Sequence, residues 1–103
     1  MTDWARIERL YDLLALISDN PVVALNRVVA VAMAHGPAPG LELLATLEAD
    51  RRVDEDHRFY AVRAHLLEMR GRMDAAREAY EGAAARTDNL AQQRYLRARA
   101  ARL

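Results

Sequence analysis

The side chains able to do chemistry are few and poorly grouped. Asp54, Glu55, Asp56 and His57 stand in succession, and these are residue types that bind divalent cations. Consecutive positions at a helix start point in different directions, however, and no second cluster has matching ligand spacing. Acidic side chains are expected there in any case, because they complement the positive end of a helix. His65 and Glu68 lie three apart on one helix face, but a lone pair lacks the remaining ligands of a di-metal bundle. His35 beside Gly36 reads as a helix-end residue. Ser18 is the sole serine; it falls in a capping turn with no glycine-rich phosphate loop beside it. The absence of cysteine removes thiolate nucleophiles, thiolate metal sites and disulfides together. The expectation is a protein that is not an enzyme and carries no metal or cofactor, with a small helical-bundle enzyme or metal protein as the remote alternative.

Charge points to no class of partner by itself. Fifteen basic side chains, all arginine, balance fifteen acidic ones, so no global field steers the chain toward nucleic acid or an anionic membrane. Locally the balance is uneven. Between Glu42 and Asp56 six acids meet two arginines, whereas between Leu90 and Leu103 four arginines stand alone. Arg94, Arg97, Arg99 and Arg102 spread around their helix instead of forming a stripe, and only Tyr95 offers a stacking ring. That segment therefore reads as a solvated helix, or one meeting an acidic protein surface, with no direct contact to nucleic acid expected. No apolar run reaches the ~20 residues of a membrane span, and the first residues lack a signal-peptide pattern. A cytoplasmic location and no membrane partner are expected.

The elements that would position any site are helical. The chain is 52% hydrophobic, rich in alanine and leucine, with four glycines and three prolines, a mixture that favours helix over sandwich or barrel. Helical spacing of Trp4, Ile7, Tyr11 and Leu14 predicts a first helix over 3–17. Ser18-Asp19-Asn20-Pro21 ends it and caps the second, with Asn20 or Asp19 as cap. The second helix, 21–34, is rich in β-branched valine, yet it is too long for an ordinary strand and well capped. Gly36 stops it, and Pro37 and Pro39 open a third helix over about 39–49. Residues 51–55 read as a charged connector. A fourth helix follows at 56–70, a fifth at 73–86, and a last one at 88–102 with Asp88 as its cap. The predicted units are thus a lone helix (3–17), hairpins 21–49 and 56–86, and a terminal helix, six helices in one all-α domain.

Self-similarity appears at the hairpin period. Leu25, Val29, Ala32 and Gly36 recur as Tyr60, Ala64, Leu67 and Gly71; Gly40, Leu44 and Leu47 recur as Ala76, Tyr80 and Ala83. Ile7, Tyr11 and Leu14 repeat the second-helix pattern without a first-helix partner. The stretch Tyr60…Ala64…Leu67…Gly71…Ala76…Tyr80…Ala83 resembles a tetratricopeptide repeat, which implies an α-α superhelix of about three hairpins. Small residues let antiparallel helices approach closely, and Gly71 supplies the left-handed turn. Arg63 departs from the pattern, because that family usually has an apolar residue there. A generic alanine-rich bundle is the alternative fold.

A narrower resemblance spans nearly the whole chain. Thr2-Asp3-Trp4, Tyr11-Asp12-Leu13-Leu14, the string Asn20-Pro21-Val22-Val23-Ala24-Leu25-Asn26-Arg27-Val28-Val29-Ala30-Val31-Ala32, Gly40-Leu41-Glu42-Leu43-Leu44 and Gly71-Arg72 are similar to the C-terminal helical extension of a group of bacterial extracytoplasmic-function sigma factors. The promoter-melting and promoter-recognition domains that precede the extension in that group do not occur in this sequence. The resemblance implies a non-catalytic regulatory domain whose partners are the sigma domains, RNA polymerase, or another protein or peptide. A free-standing peptide-binding adaptor is the rival reading.

Tetratricopeptide-like arrays hold peptides in the concave groove of their first helices. By the resemblance, Asn26, Met33, Arg58, Ala61, His65, Glu68, Tyr95 and Arg99 face that groove. Asn26 interrupts a helix expected to be buried on several sides, where an unpaired amide is costly, so bonding a neighbouring backbone is its alternative role. Trp4, Leu10, Leu13 and Ile17 form a second candidate surface. The apolar arc of the first helix covers about half its circumference, wider than one neighbour buries, so part of this set is expected to stay exposed and to dock on a preceding domain or a second copy.

Overall fold

A computed structural model describes residues 2–103, and every regular element among them is a helix. The elements are α1 (Trp4–Ile17), α2 (Pro21–His35), α3 (Pro37–Ala45), α4 (Arg51–Asp54), α5 (His57–Met69), α6 (Met73–Arg86) and α7 (Leu90–Ala101). The architecture is the all-α arrangement of helical hairpins that the pattern predicts, with α2–α3 and α5–α6 as the hairpins.

Local chemistry sets the boundaries. Asp3 accepts the Arg6 amide and Asn20 the Val22 amide, capping α1 and α2. Pro21 sits in the first turn of α2, where its missing N–H is no loss. A single residue, Gly36, separates α2 from α3, and its φ of 105° is one that an L side chain rarely adopts. Gly71, at φ 78°, turns α5 into α6 in the same way.

Three expectations need correction. The helices number seven, because residues 51–54 of the charged connector form a one-turn helix whose Val53 is only 1% exposed. Asp50 caps this turn by accepting the Arg52 amide at 2.9 Å. The third helix begins at Pro37 and ends at Ala45, because Pro37 already satisfies the first-turn condition and Thr46 caps back onto Leu43 and Leu44. Asn89, not Asp88, caps α7: its side chain accepts the Gln92 amide at 2.9 Å, while the Thr87 hydroxyl accepts the Asn89 amide.

The core has two lobes that share α5. One gathers Leu25, Val28 and Ala32 of α2, Leu44 of α3, Val53 of α4, and Phe59 and Leu66 of α5. The other joins Ala64 and Leu67 of α5 to Ala76, Ala79, Tyr80, Ala83 and Ala84 of α6, and to Leu96 and Ala100 of α7. Alanine dominates the second lobe, so its helices approach closely with little side-chain entropy lost on burial. Ala64 and Ala76, the small residues that the repeat pattern singles out, are both fully buried there.

α1 belongs to neither lobe and has no buried residue. Its hold on α2 is partly ionic: Asp12 accepts from Arg27 at 2.7 Å and Glu8 meets His35 at 2.8 Å. The two pairs run in opposite senses along the helices, so α1 lies antiparallel to α2.

Candidate protein-interaction surfaces

Three of the first-type helices, α2, α5 and α7, meet around two adjoining hollows. The first, of about 240 Å³, is lined by Val29, Ala61, Val62, His65, Leu66, Tyr80, Tyr95 and Leu96. The second, of about 190 Å³, shares Ala61, Tyr95 and Leu96 with it and adds His57, Arg58 and Gln92. Of the residues expected in the groove, Arg58, Ala61, His65 and Tyr95 therefore come together on one surface.

The other four do not. Glu68 and Arg99 bond each other at 2.6 Å, and the Tyr80 hydroxyl donates to the same Glu68 oxygen at 2.7 Å. This cluster ties α5, α6 and α7 together beside the hollows, and its groups satisfy one another. The Tyr80 hydroxyl and the Arg99 guanidinium hold the Glu68 carboxyl below its usual range, while burial pushes the Tyr80 phenol up. Asn26 and Met33 line neither hollow. They stand seven residues apart on an exposed strip of α2, whose buried positions are Leu25, Val28, Ala30 and Ala32. Asn26 is exposed and lines neither hollow, so the buried structural role does not apply and these hollows do not include it.

Val29, Val62, His57 and Gln92 were not assigned to the groove in the sequence, although Val29 figures in the repeat and His57 in the acidic run. Val29 falls three residues after Asn26 and Gln92 three before Tyr95, so helical spacing from those two residues was the available signal. The hollows lack net charge. Arg58 is held by Asp56 at 2.7 and 3.0 Å, and that contact in turn lowers the Asp56 carboxyl. A neutral concavity walled by valine, leucine and a tyrosine ring suits an apolar side chain.

The second candidate surface lies on α1. Leu10, Leu13 and Ile17 are 53, 61 and 83% exposed, and Leu14 and Leu16 add 40 and 82%. Trp4 differs, being half-buried. Leu10, Leu13, Leu14 and Ile17 follow helical spacing along one face, directed away from the side that holds α2 through Glu8 and Asp12. Contiguous exposed apolar surface of this kind marks an interaction site.

Among the described residues no group of three or more His, Cys, Asp or Glu side chains is placed to hold a metal, and no helix is long and apolar enough to cross a membrane. Asp56, from the acidic run, serves as the cap of α5. Of the four C-terminal arginines, Arg99 is committed to Glu68, which leaves Arg94, Arg97 and Arg102 without a common face.

Among known proteins, the chain is similar to an uncharacterized protein of Rhizobium meliloti (strain 1021), with 35% identity over 96 residues, covering 93% of this chain and 22% of that protein. The chain thus spans about a fifth of the length of the curated relative it matches. No family model matches the chain, and no solved structure matches it.

Proposed function

We propose that the chain is a non-catalytic protein-interaction domain that regulates a bacterial extracytoplasmic-function sigma factor, by docking on the sigma domains or RNA polymerase. The carrying observation is α1, a helix with no buried residue and with five large apolar side chains at least 40% exposed. A helix at the margin of a hairpin array ordinarily turns a polar face outward. The sigma assignment rests on the resemblance of the Asn20–Ala32 string and its flanking segments. In the uncharacterized relative the matching stretch is 22% of a longer chain, an arrangement compatible with a domain that acts on other parts of the same protein.

The test is reconstituted transcription. RNA polymerase is assembled with an extracytoplasmic-function sigma factor that ends in this domain, and the parent is compared with a Leu10→Gln/Leu13→Gln variant. The expected result is a changed yield of transcript with promoter binding by the sigma domains intact. Equal transcription from parent and variant contradicts the reading.

The neutral hollows at Ala61, His65 and Tyr95 favour a second reading, a peptide-binding adaptor unconnected with transcription. Under that reading a Tyr95→Ala change abolishes partner binding, while the α1 changes leave it intact.

A further inference from the structure

A third surface lies along α5, where it meets α3 on one side and α6 on the other, away from both α1 and the α2–α5–α7 hollows. Repeat packing would fill it with an apolar side chain, but Arg63 stands there. It lines an open cleft of about 250 Å³ in which partly exposed Leu41 lies beside the nearly buried Leu44 and Leu67, with Arg63, Arg70, Arg72 and Glu48 around them. A neighbouring hollow of about 240 Å³ extends it along α6 and shares Arg63 and Leu67.

The charge of this cleft is not spent internally. Arg63 has one acidic neighbour, Glu48, at 3.6 Å, and both side chains are about half exposed, so the pair contributes little. Arg70 and Arg72 flank the Gly71 turn, are exposed, and make no side-chain hydrogen bond or ion pair among the described residues. Arg52 is occupied by Asp19 and Asp50, Arg58 by Asp56 and Arg99 by Glu68; further arginines without such a partner, Arg94 and Arg97 among them, do not line this cleft. Three guanidinium groups around a leucine floor, with a single loosely held acid, make a site for a carboxylate next to an apolar anchor.

We infer that this cleft binds an acidic amphipathic peptide segment of a partner protein, with its leucine-type side chains on Leu41, Leu44 and Leu67 and its carboxylates on Arg63, Arg70 and Arg72. A nucleic-acid backbone fits worse. Its phosphates bring no apolar side chain to set against the leucines of the cleft, which an amphipathic segment supplies alongside its carboxylates. The inference does not depend on the sigma-factor reading, which rests on α1.

Binding is measured by fluorescence anisotropy with the whole chain and a labelled helical peptide carrying leucine on one face and glutamate on the other. A matched peptide with glutamine for glutamate and a labelled DNA duplex serve as competing probes. The glutamate peptide binds, the glutamine peptide binds at least about tenfold more weakly, the effect of losing charge-assisted hydrogen bonds, and affinity falls as salt rises. Arg63→Leu supplies the apolar residue that the repeat lacks, so it keeps or raises the thermal midpoint while weakening the glutamate peptide at least about tenfold. Arg70→Gln/Arg72→Gln, on exposed positions, weakens it likewise without unfolding. Failure of the glutamate peptide to bind, equal binding of the two peptides, unchanged binding by these variants, or tighter binding of the duplex overturns the inference. So does a peptide footprint by NMR at Ala61 and Tyr95 instead of Leu41, Leu44 and Leu67.

Discussion

Replacing Phe59 by alanine is expected to lower stability by about 3–5 kcal/mol, the usual range for a large aromatic removed from a core. Phe59 is 1% exposed and is the largest of the fully buried side chains. It packs in the lobe where α2, α3, α4 and α5 meet, and its ring stands edge-on to Tyr60 with centroids 5.2 Å apart. No other side chain can collapse into the space, because its neighbours sit on separate helices held by short connections. A domain of this size has about 5–15 kcal/mol in total, so the variant should lose a large share of it. Thermal unfolding followed by circular dichroism should show a midpoint at least about 12 °C lower. A loss under about 1 kcal/mol would mean that α2, α3, α4 and α5 do not meet at this ring.

Replacing Gly40 by leucine is the second large effect, and its sign is decided by a competition. A glycine inside a helix costs about 1 kcal/mol relative to alanine, so an exposed one would be improved by substitution. Gly40 is buried, and a Cβ there would lie 2.7 Å from the Ala32 Cβ, 3.1 Å from Leu66 Cδ1 and 3.3 Å from the Ala32 Cα. Two of these atoms belong to or adjoin backbone and cannot rotate away. Overpacking of this kind costs about 1–3 kcal/mol, and leucine at a helix–helix crossing belongs at the upper end, so the net change is a loss. Urea unfolding should show a lower midpoint for Gly40→Leu, with Gly40→Ala between it and the parent. A stabilised Gly40→Ala would show that α2 and α3 are not in contact at this point.

The small-residue crossings were legible because they recur. Gly40 and Ala76 occupy equivalent places in successive hairpins, and a side chain that must be small leaves its mark in sequence. The cap of α2 was narrowed in sequence to Asn20 or Asp19, and the geometry selects Asn20. At Thr87-Asp88-Asn89 three capping residues stand together, and only the geometry selects Asn89. α4 was hidden because Val53 is its sole buried side chain and four charged residues surround it, so no periodicity can appear. Asn26 misled for a different reason. The valines on both sides suggest burial all round, but the neighbours of α2 cover the strip of Leu25, Val28 and Ala32 and leave that of Asn26 and Met33 to solvent. The hollows draw on three helices far apart in sequence, so Val62 and His57 enter them through packing that no local pattern records.

The exposure of α1 was legible from arithmetic alone, since an apolar half-circumference cannot be covered by one antiparallel neighbour. Its proposed docking role is the central claim, and the most direct test is a binding titration of the domain against the sigma domains of an extracytoplasmic-function sigma factor that ends in this domain, comparing the unaltered chain with Leu10→Gln/Leu13→Gln. Two leucines that each bury about half a side chain on docking contribute about 1.5–3 kcal/mol together, or about ten- to a hundredfold in affinity. The account predicts a loss of that size in a variant that stays folded. Unchanged affinity in the folded variant, or unfolding of the variant as though two core leucines had been lost, would contradict it.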